Sequence, residues 1–109
     1  MGKLNLMIKG GMLYANKKIF CNCGGGSGGK NIPVGRYEVE ERYAYAHGDV
    51  LAFARGLGWI GHLPGCDVVI GRDDGRGGVV PSEAVAGRLL SMMEVAEDNG
   101  DLVILEVVT

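Results

Sequence analysis

The sequence predicts an α+β fold: a small β-rich sheet or sandwich with one principal helix towards the C-terminal end. Three observations predict it. Glycine accounts for 20 of the 109 residues and proline for only 3, which suits many tight turns between strands. Most apolar stretches are short and alternate with polar residues, the period of a half-buried strand. The clearest helical spacing of apolar residues lies over 82–98. Strands, then a helix, then a strand argue for α+β rather than a parallel sheet wound by alternating helices. A chain of this length is expected to form one domain, 1–109.

The elements follow in order. Residues 3–8 alternate and read as a strand, turned by Gly10-Gly11. Residues 12–15 and 18–23 read as a hairpin around Asn16-Lys17. Gly24 to Gly29 is a glycine-rich loop broken by Ser27. Residues 36–46 alternate through Tyr37, Val39, Tyr43 and Tyr45, with an irregularity at Glu40-Glu41. A short helix is predicted over 49–57, capped by Asp49 and ended by Gly58, with a loop on to Pro64. Residues 67–71 read as a buried strand and Asp73 to Gly78 as a polar turn. Ser82 caps the helix, Leu89, Leu90, Met93 and Ala96 form its apolar stripe, and Asn99-Gly100 ends it. Residues 101–108 form the last strand.

Charge and hydropathy narrow the function. A net charge of −2 and seven aromatics without a basic stripe argue against nucleic acid as a partner. No apolar run reaches the roughly 18 residues of a membrane span, and Met1 to Leu6 is too polar and short for a signal peptide. Three cysteines, Cys21, Cys23 and Cys66, leave at least one thiol unpaired.

The candidate sites separate by chemistry. Gly24 to Lys30 matches the start of a phosphate loop. Asn31 and Pro33 then block the hydroxyl and the helix that such a loop needs, so a loop between strands is the better reading. Cys21 and Cys23 with His47 or His62 lack metal-knuckle spacing, and two thiols on one face of a strand explain them as well. No metal and no cofactor is expected. Arg36, Glu38, Glu40, Glu41 and Arg42 read as a solvated strand face. His47 ends a predicted strand and enters a glycine turn, and Cys66 follows Pro64-Gly65 and opens a buried one. If those strands are neighbours, an imidazole can activate a thiol at one sheet edge.

In sequence order, Gly29-Lys30-Asn31-Ile32-Pro33-Val34-Gly35-Arg36-Tyr37-Glu38-Val39, His47-Gly48 and Gly65-Cys66-Asp67-Val68-Val69-Ile70-Gly71 resemble three elements of the L,D-transpeptidases of the YkuD type. The likeness extends over most of residues 8–72 and is closest to the short forms, which include bacterial effectors and phage-encoded proteins. It implies the catalytic-domain fold of that family. It also implies acyl transfer or hydrolysis on peptidoglycan stem peptides, as an L,D-transpeptidase or L,D-carboxypeptidase. By position, Cys66 would be the nucleophile, His47 the base, and the backbone N–H groups near Gly65 and Cys66 the oxyanion donors. His62, Tyr45 and Gly48 would line the substrate groove. Synthesis in the cytoplasm without a leader, then export by another route to the cell envelope, follows from the same resemblance. The alternative is a non-catalytic phage or mobile-element module that binds or inhibits a protein partner on the same scaffold. Its motive is Asp67, which stands directly after Cys66, and the lack of the arginine that usually follows in the family. A third reading, an oligomer-forming domain, rests on the apolar strand 101–108 and on Met92-Met93. None of these patterns sets an oligomeric state.

Overall fold

A computed structural model describes residues 4–25, 32–41, 50–54, 59–63, 66–76 and 78–108. They form β1 (Leu4–Lys9), β2 (Met12–Ala15), β3 (Lys18–Gly25), β4 (Gly35–Glu41), β5 (Val50–Ala54), β6 (Trp59–Leu63), β7 (Cys66–Asp73), β8 (Val79–Pro81), α1 (Glu83–Asp98) and β9 (Val103–Val107). The strands form one mixed sheet in the order β3-β2-β1-β9-β4-β5-β6-β7-β8. β1 and β9 run parallel, as do β4 and β5, and the remaining pairs are antiparallel. The sheet curls until β3 also pairs with β7, Gly25 opposite Val68 and Asn22 opposite Gly71. Eight strands thus close into a ring, the size at which side chains alone fill the interior.

Alternation decides which side chains fill it. Leu4 and Leu6 of β1, Leu13 and Ala15 of β2, Val68 and Ile70 of β7, and Val103, Leu105 and Val107 of β9 are all buried. The residues between them on β1 and β9, including Asn5, Met7, Ile104 and Glu106, are exposed or half-buried. A one-residue slip would reverse both sets, so the hydrophobic pattern fixes the register. Leu13 faces Cys21 whereas Tyr14 faces Ile19, which makes Phe20 the extra residue of a bulge.

The strand directions give the barrel two ends. At one end β1, β3 and β9 begin and β7 finishes, and α1 packs against β7, β1 and β9 there. The helix forms where the spacing predicts it. Ser82 Oγ accepts from the Val85 amide at 3.3 Å. Leu89 and Met93 are fully buried, beside buried Val85, Ala86, Leu90 and Ala96. Gly100, at φ 78°, ends the helix: its amide donates to the Glu97 carbonyl at 3.0 Å and the Asp101 amide to the Ala96 carbonyl at 2.8 Å. That bond pair is a Schellman cap, which uses a left-handed residue after the last turn. The Arg88 guanidinium lies 5.1 Å from the Phe20 ring centre and ties the helix to β3.

Four sequence expectations are corrected. Residues 50–54 are a strand, not a helix: Val50 to Phe53 pair with β4, Ala52 to Ala54 with β6, and Phe53 is wholly buried. An apolar run this short fits either element, and pairing on both edges decides it. Residues 59–63 are also a strand rather than loop. Ile60 faces Val68 and Leu63 faces Cys66, so β6 carries one residue more than β7 between them. Gly61 lies within that bulge, a common place for a strand glycine. Gly24 and Gly25 belong to β3, opposite Val69 and Val68. β4 (Gly35–Glu41) pairs regularly with β5 through Glu40 and Glu41, where an irregularity was expected, and residues 42–46 of the expected strand lie outside the described residues. The polar turn after β7 is as expected, with Asp74 Oδ1 accepting from the Arg76 and Gly78 amides at 2.6 and 3.0 Å. No helix among the described residues is long and apolar enough to cross a membrane.

Candidate functional site

Opposite the helix, the second end of the barrel gathers the strand ends that flank the sequence motifs. β3 finishes there at Gly25, β6 finishes at Leu63, and β4, β5 and β7 begin at Gly35, Val50 and Cys66. Cys66 is the first residue of β7, opposite Leu63 and beside the β6 bulge that contains Gly61 and His62. Bulges recur next to active sites because they re-aim a strand locally. His47, Gly48, Tyr45 and Gly65 lie outside the described residues. Cys66 and His62 are described as strand positions and not as side chains.

The Ile32-Pro33-Val34-Gly35-Arg36-Tyr37 motif has a structural explanation. Ile32 is buried in the core. The Tyr37 hydroxyl donates to the Pro33 carbonyl at 2.8 Å, which pins the turn leading into β4. A Cβ on Gly35 would stand 3.2 Å from that hydroxyl, so the tyrosine lies over the glycine. Each chemically distinctive residue of the motif except Arg36 therefore shapes the entry to β4.

Cys21 and Cys23 face inward on β3 and are buried. Burial pushes the Cys21 thiol up from 9.0 to about 11, and the Gly71 backbone and the Arg88 charge offset part of the rise. Burial, reinforced by the neighbouring Cys21, pushes Cys23 up to about 12. Both are neutral thiols at physiological pH and pack as small apolar groups. No cluster of three or more metal-binding side chains occurs among the described residues.

One feature lies apart from every sequence-predicted site. The outer face of β1, β9 and β4 holds a groove of about 360 Å³, floored by Met7 and Ile104 and edged by Asn16, Lys17, Arg36 and Glu106. Register explains the grouping: Met7 faces Glu106, and Glu106 faces Arg36. Asn16 and Lys17 read as an ordinary hairpin turn and Arg36 as part of a solvated face. The clue was Lys17, because a hairpin of this kind favours Asn-Gly where this chain has Asn-Lys. No protein-family model matches the chain, and no curated protein or solved structure matches it either.

Proposed function

We propose that the chain is a small cysteine acyl-transfer enzyme acting on peptidoglycan stem peptides, with Cys66 as nucleophile and His47 as base. The Cys66 thiolate would attack the carbonyl carbon between the diamino acid and D-alanine. The C–N bond breaks, a thioester forms, and the departing D-alanine amine takes the proton that His47 drew from the thiol. An acceptor amine or water then attacks the thioester carbonyl, the C–S bond breaks, and a proton from the acceptor passes through His47 to the Cys66 sulfur. The backbone N–H groups at Gly65 and Cys66 would stabilise the oxyanion. His62, Tyr45 and Gly48 would border the bound peptide.

The observation that carries the reading is the order of the three motifs together with the strand ends beside them. Cys66 opens β7, and Val50, three residues after His47, opens β5 at the same end. β5 and β7 are separated only by β6, so two strand spacings amount to about 10 Å. Three residues of chain reach about 11 Å at most. That length of chain allows His47 to reach Cys66, which supports pairing them as base and nucleophile. The test is D-alanine release from a tetrapeptide stem. Cys66→Ala should lower it at least about a thousandfold, and His47→Ala at least about a hundredfold. Full processing by Cys66→Ala sinks the proposal. No processing and no covalent adduct in the unaltered protein leave the non-catalytic binding module.

A further inference from the structure

We infer that the outer-face groove binds a short acidic peptide with free termini, independently of any chemistry at Cys66. The groove carries charges of both signs over an apolar floor. Lys17 and Arg36 stand at opposite corners, Glu106 lies beside Arg36, and none of the three is paired with another described residue. Met7 and Ile104 are half-buried between them and offer an aliphatic floor. At about 360 Å³ the groove sits at the low end of small-molecule sites.

Charge complementarity selects the occupant. Two cations and one carboxylate call for two carboxylates and one ammonium. The β2 and β4 rims are three strand spacings apart, about 14 Å or less, and the two long cationic side chains narrow that gap from either side. A dipeptide with a free N-terminus, one acidic side chain and a free C-terminus meets these terms. Arg36 offers a planar fork for one carboxylate, Lys17 a point charge for the other, and Glu106 an acceptor for the ammonium.

The turn that presents Lys17 is the second observation. Asn16 and Lys17 both adopt left-handed backbone, φ 50° and 72°. Asparagine tolerates this, but lysine is strained there where glycine would not be. The Asn16 Oδ1 accepts from the Asn5 amide at 3.1 Å and the Asn16 amide donates to the Asn5 carbonyl at 2.8 Å, which hold the turn. A strained lysine on a pinned turn beside a groove marks a residue kept for what its ammonium meets.

Calorimetric titration with the dipeptide Ala-Glu tests this. Saturable binding is expected, weakened at least about tenfold by Arg36→Gln, by Glu106→Gln and by N-acetylation of the peptide. Lys17→Gly should weaken it by about as much while the melting temperature holds or rises. Cys66→Ala should bind the peptide unchanged, which keeps this site distinct from the catalytic proposal. Inorganic phosphate binding as tightly as Ala-Glu would overturn the assignment in favour of a plain anion site. So would the absence of saturation by about 10 mM, or full affinity in both Lys17→Gly and Arg36→Gln.

Discussion

At the helix end of the barrel, Leu89 and Met93 of α1 are fully buried against strands whose own inward residues, Leu4 and Val103, are buried too. Cys21 and Cys23 belong to the same apolar interior, and burial holds their thiols protonated. At the opposite end, Cys66 opens β7 next to a bulge, at the end of the barrel where β4 and β5 also begin. One chain thus uses cysteine in two settings: as core filler on β3, and at a strand start flanked by glycine and proline. A thiol's environment decides its chemistry, so the two ends should respond differently to substitution, pH and reagents.

The largest effect should come from the seam that closes the ring. A Cβ on Gly71 would land on the Val80 carbonyl, where β3, β7 and β8 meet. Gly71→Ala should cost about 3 kcal/mol or more, read as a drop in the urea midpoint. Leu89→Ala should cost about 2–5 kcal/mol, because the helix end has no solvent-facing substitute for that side chain. Denaturant unfolding at constant slope measures it. If Leu89→Ala proves neutral, α1 is not what seals that end.

Alkaline pH comes next. Below 9.0 both core thiols are protonated whether the chain is folded or unfolded, so they add no slope. Above 9.0 the unfolded chain loses those protons while the folded chain keeps them up to about 11 and 12. Stability should therefore fall as pH rises through this window, by up to about 1.4 kcal/mol per pH unit per thiol. Cys23→Ala should flatten the slope, measured as melting temperature against pH. The smallest effect is at the cap: Ser82→Ala removes the acceptor for the Val85 amide and should cost about 1 kcal/mol by the same unfolding assay.

The sequence foretold the helix end more fully than the other. A capped stripe of Leu89, Leu90, Met93 and Ala96 is a local pattern, and local patterns survive folding. Alternation likewise gave β1, β2, β3 and β9 nearly to their ends. Residues 50–54 failed because Val-Leu-Ala-Phe-Ala has no decisive period, and its strand state comes from β4 and β6 on either side. Residues 59–63 failed because Gly58, Gly61 and Pro64 look like loop while the chain absorbs Gly61 into a bulge. Ring closure through β3 and β7 is a long-range pairing and leaves no local mark. Of the site, the motifs and their order were legible, and so was the inward placement of Cys21 and Cys23. The groove was not, because Met7, Glu106 and Arg36 meet only across three strands.

The contrast between the two kinds of cysteine rests most directly on alkylation of the folded protein by iodoacetamide at neutral pH, mapped by peptide mass spectrometry. Cys66 should be modified first and D-alanine release should fall in step, while Cys21 and Cys23 stay unmodified until the chain is unfolded. Equal labelling of all three thiols, or full activity with Cys66 alkylated, would contradict the account.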